Sequence, residues 1–441
     1  MTKFSKSALT FKVSALSKIS TISVILAVFL LSGCASEKPK TAGSPAKSVE
    51  PAFSVSELPI VVGGMPVILL SQPLLDKAKA QIIEVYILPG RGMNIYKIRG
   101  FLPGKGIVDL ISSESFTEAQ KLMSDTPTDT NGEMTEQDSS GKQSFLSGGA
   151  ILVPWANRIR GQYDDTKKTI ETHLVGGVSV SLPANWKGSE PTAINVAMNG
   201  LILNRKFTTT SSITADQASV TGLLQADNFE GHWPSKTDLA ITATLSQTTF
   251  TLTVLAKNTG TEALPMGIGW YPYFSIPSGD RTQAHVRIPG LQRVSTRNLD
   301  DVLPNGKLVG TRDTRFDFTP LKGKALGTRG YDTCFTDLER DSIDQAVAEL
   351  VDPAADYGVR IKAISDQIRA FQLYAPEEQQ FAVIAPQFNL ADPYGKEWDQ
   401  ATAQIPGQAP QPVHVDTGMQ LLQPGETTQY VVVLELFKPK Q

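Results

Sequence analysis

Histidine and cysteine are scarce in this chain: 441 residues hold four of the first and two of the second. His173, His232, His285 and His414 stand far apart, and nowhere do His, Cys and carboxylates combine at metal-ligand spacing, so no metal centre is expected. No glycine-rich loop opens a helix to cradle a phosphate, and no cofactor is expected. Two cysteines exclude a disulfide framework. Cys334, between Thr333 and Phe335, reads as a small buried hydrophobe. Positive charge is short as well. The net charge is −3, and four of the lysines fall in the first 33 residues, which hold no acid. No basic stripe appears, which excludes nucleic acid as a partner. An apolar run of the ~20 residues that a membrane-spanning helix needs is also missing.

The N-terminus does carry a shorter apolar run. Lys3, Lys6, Lys12 and Lys18 precede a stretch from Ile19 to Leu31 that is broken only by small polar residues, and Leu31-Ser32-Gly33-Cys34 follows. A basic start, a short apolar segment and small residues at a cleavage point make a signal peptide over 1–33. A cysteine directly after the small residues resembles the lipobox of bacterial lipoproteins. That resemblance implies cleavage before Cys34, a diacylglyceryl group on its thiol, and attachment to a membrane through lipid. Ala35, where an aspartate would retain the protein at the inner membrane, points by the same analogy to the periplasmic face of the outer membrane. Residues 34–56, rich in Ser, Pro, Lys and Ala, read as a lipidated cysteine and flexible linker.

From 57 to 441 the pattern is that of strands. Leu239, Ile241, Ala243 and Leu245 alternate with Ala or Thr; Phe250, Leu252 and Val254 with threonine; Val178, Val180 and Leu182 with serine; Val359, Ile361 and Ala363 with Arg and Lys. Period two with Gly, Pro and Asn between runs predicts half-buried antiparallel strands, and helical periodicity is nearly absent. The fold class is all-β, a large antiparallel β-sandwich in one domain. Segment 112–146 is a polar insertion with a short helix near Phe116–Met123. Segment 391–417, with Trp398 and several prolines, reads as a second loop.

Five stretches in order resemble the aldose 1-epimerase (galactose mutarotase-like) family. They are Gly149 to Ile159, with Pro154-Trp155-Ala156-Asn157-Arg158-Ile159; Asn258-Thr259-Gly260 through Gly269-Trp270-Tyr271-Pro272-Tyr273-Phe274; Leu303-Pro304-Asn305-Gly306 with Phe316-Asp317-Phe318 and Tyr331-Asp332; Tyr374-Ala375-Pro376 with Ile384-Ala385-Pro386-Gln387; and Leu421 to Gly425-Glu426-Thr427. The resemblance implies a supersandwich of two large sheets with a sugar site on a concave face. It also implies a hexose or an envelope glycan as partner; it fixes no particular sugar and no oligomeric state.

Mutarotation needs a base at the anomeric hydroxyl and an acid at the ring oxygen, each with a pKa near the working pH. The family supplies a glutamate and two histidines, with an arginine and an aspartate holding hydroxyls. By that resemblance the holding groups are present as Arg158 and Asp332, and Gln387 keeps its place in the Pro-Gln motif. The reacting groups are replaced: Asn199 and Tyr271 stand for the histidines and Ala385 for the base. Asn199 and Tyr271 still donate and accept hydrogen bonds, which makes Arg158, Asn199, Tyr271, Asp332 and Gln387 the expected sugar-binding set. Trp155, Trp270, Tyr273 and Phe274 are candidates for stacking on a ring, with core packing as the ordinary alternative. The leading expectation is a carbohydrate-binding lipoprotein without effective mutarotase activity. Two others stay open: a rearranged epimerase using Tyr271 with a carboxylate such as Asp332 or Glu230, and a structural lipoprotein that binds other proteins.

Overall fold

The computed structural model describes residues 53–124, 138, 140–188, 191–297, 302–405 and 407–439. The expected signal peptide, Cys34 and the linker as far as residue 52 lie outside these residues. The linker's expected end does not: Phe53 is buried and the first strand, Ser54–Val62, begins within it.

The chain is built from strands, as the period-two pattern requires. A five-stranded meander comes first: Ser54–Val62, Met65–Ser71, Gln81–Leu88, Asn94–Leu102 and Gly106–Asp109, each paired with the next. Gly63 and Gly64, both at positive φ, make its first hairpin turn, and a Cβ on Gly63 would stand 2.5 Å from the Gly90 carbonyl oxygen. Two nine-stranded sheets follow. The first runs Thr208–Ile213, Gln217–Asp227, Thr237–Ser246, Thr249–Asn258, Thr427–Phe437, Tyr357–Ala363, Ala346–Asp352, His285–Arg287 and Lys324–Ala325. The second runs Gln411–Pro412, Thr402–Gln404, Pro304–Gly310, Gly290–Thr296, Tyr331–Leu338, Ala370–Ala375, Phe381–Gln387, Gly269–Ser275 and Gly149–Leu152.

The inner faces of the two large sheets meet in one core. Phe250 of the first lies 6.0 Å from Trp270 of the second, ring centre to ring centre, and the Tyr430 hydroxyl donates to the Pro386 carbonyl across the layers at 2.8 Å. Each such large side chain, fully buried, contributes roughly 1.5–3 kcal/mol. In Thr237–Ser246 every second residue is buried, the signature of one wet face. Gly269–Ser275 differs, being buried from Gly269 through Phe274. Trp270 and Phe274 point into the inter-sheet core, while Tyr271 and Tyr273 point to the opposite face and are covered there too.

Two of the irregular segments have structure. Phe116–Leu122 forms the short helix expected in the insertion, with the Ser115 hydroxyl accepting from the Glu118 amide at 3.2 Å. Segment 391–417 is not simply a loop: Thr402–Gln404 runs parallel to Lys307–Val309 and, with Gln411–Pro412, extends the second large sheet. Its alternation was invisible because edge strands of two or three residues show no period. Cys334 is buried as expected, and burial pushes its thiol up to about 12, which leaves it inert.

Candidate functional site

The outer face of the second large sheet carries the residues that matter. Strand alternation puts Asp332 and Cys334, Gln372 and Tyr374, Ala385 and Gln387, and Tyr271 and Tyr273 there, one pair from each of four neighbouring strands. Arg158 arrives from outside the sheet, on the two-residue strand Arg158–Ile159 paired with Ala197 and Met198. Asn157 and Asn199 flank this pairing at φ +67° and +63°, a left-handed conformation that asparagine adopts more readily than most residues. Gly200 closes the turn at φ +86°; a Cβ there would stand 2.2 Å from the Val153 carbonyl oxygen.

Four of these side chains form a closed circuit. Asn157 Nδ2 donates to Gln372 Oε1 at 2.9 Å, Gln372 Nε2 donates to Asp332 Oδ1, Arg158 Nη2 donates to Asp332 Oδ2 at 3.1 Å, and Arg158 Nη1 donates to Asn157 Oδ1 at 3.1 Å. Both oxygens of Asp332 are thereby occupied from within the chain. The Arg158 side chain is almost buried and that of Asp332 is 23% exposed, so the carboxylate is the wetter end of the pair.

Beside the circuit the face is sealed. Met198, Phe145 and Leu203 pack over Ala150, Leu152, Ala156, Tyr271, Val383 and Ala385 in an apolar cluster separate from the main core. Asn157, Arg158, Met198, Asn199, Tyr271, Gln372 and Gln387 surround a space that admits no water-sized sphere. Burial pushes the Tyr271 hydroxyl well above its ordinary value, with Tyr273 and Asp332 adding to the effect. Asn199 Oδ1 accepts from the Asn157 amide at 2.9 Å, which makes it a brace for the Arg158 strand. Gln387 donates to the Asn389 carbonyl at 2.7 Å. An open cleft of about 810 Å³ adjoins this closed region, sharing Arg158 and Asp332 and adding Trp186, Arg293, Arg315, Phe316, Tyr331, Tyr374 and Glu377.

The structure therefore divides the expected set. Arg158 and Asp332 meet and face the open cleft. Tyr271, Asn199 and Gln387 converge with Arg158, but on the closed side. Trp155, Trp270 and Phe274 are core residues, Trp155 stacking on Trp233 with ring centres 5.2 Å apart. The ring the sequence reading missed is Trp186, on the short strand Trp186–Lys187, with no motif around it to mark it. Glu230 is ion-paired with Arg205 and its side chain is mostly exposed, while His232 is bonded to the Ser181 carbonyl; neither lines the closed space or the cleft. Glu230 is thus no partner for Tyr271.

Behind Arg158 lies a second charged group. The Asp392 amide donates to the Arg158 carbonyl at 2.7 Å, Arg160 Nε is 2.8 Å from Asp392 Oδ2, and Arg160 also binds Glu397. Burial lifts the Asp392 carboxyl to about 7; the neighbouring Glu397 carboxylate adds to this and Arg160 opposes it.

The paired, mainly antiparallel sheets have the fold of the galactose mutarotase-like class of β-sandwich. Solved structures share the fold. A galactose mutarotase-like protein from Clostridium acetobutylicum superposes with TM-score 0.64 at 16% identity, covering 88% of this chain and 99% of that one. Galactose 1-epimerase from Lactobacillus acidophilus NCFM gives 0.56 at 16%, covering 89% and 100%. A putative aldose 1-epimerase from Escherichia coli K12 gives 0.54 at 15%, covering 82% and 100%. Comparison of the sequence with curated proteins gave no match. The sequence model of the aldose 1-epimerase family matches residues 133–435, well over half of the chain, and the chain belongs to that family. The N-terminal meander precedes the matched region.

The Asp392 group gives a stability signature. Its carboxyl titrates higher folded than unfolded, where aspartate lies near 3.9, so folding takes up a proton between about pH 4 and 7. This contribution to stability is full at the low end, falls as pH rises through the window, and is flat above it. The thermal midpoint of Asp392→Asn relative to the native protein should therefore rise from about pH 5.5 to 7.5. A constant difference would mean that Asp392 is already ionised at the lower pH.

Proposed function

We propose that this domain is a carbohydrate-binding member of its family that no longer catalyses mutarotation, held on the cell envelope by lipid on Cys34. The observation that carries the reading is the sealed space at Tyr271, with Ala385 buried in the apolar cluster that adjoins it, next to an open cleft that keeps Arg158 and Asp332. Mutarotation moves one proton off the anomeric hydroxyl and another onto the ring oxygen, and each transfer needs a titrating group within hydrogen-bond reach. Tyr271, lifted further above 10 by burial, neither releases nor relays a proton near neutral pH. Ala385 has no titrating group, and none of the four histidines lines either region. Asp332 already accepts from Arg158 and Gln372.

The cleft retains what binding requires. Trp186, Phe316, Tyr331 and Tyr374 offer apolar ring faces, and Arg158, Asp332 and Glu377 offer charged hydrogen-bonding groups. Its volume is that of pockets that take drug-sized ligands, which favours a glycan segment over a lone hexose. The purified protein should bind envelope oligosaccharides in calorimetry, and Trp186→Ala should weaken that binding by up to roughly ten-fold. In polarimetry it should relax α-D-glucose and α-D-galactose no faster than buffer. Relaxation far above the buffer rate would restore the enzyme reading, and failure to bind any saccharide would favour a protein-binding role.

Placement on the envelope is supported by the four N-terminal lysines, the apolar run and Leu31-Ser32-Gly33-Cys34. Metabolic labelling with palmitate in a bacterial host should mark the native chain and not Cys34→Ser, which should accumulate as the longer precursor. Equal labelling of both would remove Cys34 as the anchor.

A further inference from the structure

Among the described residues, two positive charges of the cleft have no carboxylate partner. Arg158 is neutralised by Asp332, but Arg293 and Arg315 are not neutralised in this way. Their guanidinium carbons stand 4.1 and 4.4 Å from the centre of one ring, Phe316, and that of Arg315 is also 5.6 Å from the Tyr331 ring. Among the described residues neither forms an ion pair, although Arg293 is half-buried on the strand Gly290–Thr296. The buried Arg281, by contrast, also lacks an ion pair among these residues but donates to three backbone carbonyls, of Gly327, Arg329 and Ala375. Arg99, Arg160 and Arg360 each hold two carboxylates.

Two guanidiniums gathered on one aromatic ring repel each other; Arg315 is exposed, but the partial burial of Arg293 removes some of the water that would screen it. Burial, and then the charge of Arg315, depress the Arg293 pKa. A chain that needed only packing here would be served by neutral side chains. What relieves the repulsion is an anion from outside, and two planar donors suit a carboxylate or a phosphate in a bidentate grip. Glu377, the other acid of the cleft besides Asp332, lies within 3.4 Å of the Gly330 amide, and no ion pair joins it to either arginine.

We propose that the ligand of this cleft is an acidic saccharide, with a carboxylate or phosphate held by Arg293 and Arg315 while its hydroxyls meet the Arg158–Asp332 side. This rests on the carbohydrate-binding reading above and names the class of sugar. Calorimetry with D-galacturonate, D-galactose 6-phosphate and D-galactose at low salt tests it. At least one acidic sugar should bind about ten-fold or more tightly than galactose, as one or two charge-assisted hydrogen bonds provide, and added salt should narrow the gap. Which of the two wins tells carboxylate from phosphate. The double variant Arg293→Gln with Arg315→Gln should bring the ratio to about one, and Arg293→Lys alone, which keeps the charge, should preserve most of it. Equal affinity for all three sugars, or a preference that survives the double glutamine variant, overturns this inference and leaves sugar binding standing. Binding of none of the three, with neutral envelope oligosaccharides still bound, overturns this inference alone; failure of those oligosaccharides as well removes both.

Discussion

The salt bridge between Arg158 and Asp332 is the contact on which the site depends. A guanidinium as enclosed as that of Arg158 must be compensated by acceptors, and Asp332 supplies a charged one at the cleft wall. The pair lies 174 residues apart in sequence and is locked by Asn157 and Gln372 into a circuit in which each member both positions and occupies the next. The left-handed turns at Asn157 and Asn199 bring the arginine to the sheet. Asp392 and Arg160 hold the same strand from behind. Rigidity here has a chemical consequence, because a carboxylate with both oxygens engaged is a fixed acceptor at a cleft wall and is poorly suited to exchanging protons.

That geometry is the basis of the proposal that this domain grips a sugar without opening it. Proton transfer requires groups that titrate near neutrality and stand in reach of the ring. At the positions where the family resemblance implies such groups, this chain has an amide that braces a turn, a phenol raised in pKa by burial, and a methyl group. Phe145, Met198 and Leu203 then fill the space above them with apolar side chains. The adjoining cleft inherits the polar edge of the site and adds its own aromatic rings and arginines. On the proposed reading the binding site lies beside the closed region, on the same face of the same sheet.

The architecture was readable in the sequence wherever strands have one wet face. Thr237–Ser246 and Thr249–Asn258 alternate in burial as their residues alternate in polarity. It was less readable where both faces are covered, as in Gly269–Ser275, whose aromatic run could not say which rings face the core. Trp270 and Phe274 turned inward and Tyr271 and Tyr273 outward, so half of that aromatic cluster belongs to packing. Arg158 and Asp332 were legible from their motifs. Gln372, Phe145 and Trp186 were not, because each matters through neighbours that only the fold supplies: Gln372 meets Asn157 across 215 residues, and Phe145 meets Trp186 with ring centres 5.6 Å apart. The arginine pair on Phe316 escaped notice for the same reason, since Arg293 and Arg315 lie on separate segments.

The central claim is spatial, and a crystal structure of the protein with a bound saccharide tests it most directly. The account places the sugar in the open cleft, against Trp186 and the Arg158–Asp332 pair, with Phe145, Met198 and Leu203 still packed over Tyr271 and Ala385. A sugar ring lying between Tyr271 and Ala385, with that apolar cover displaced, would contradict it.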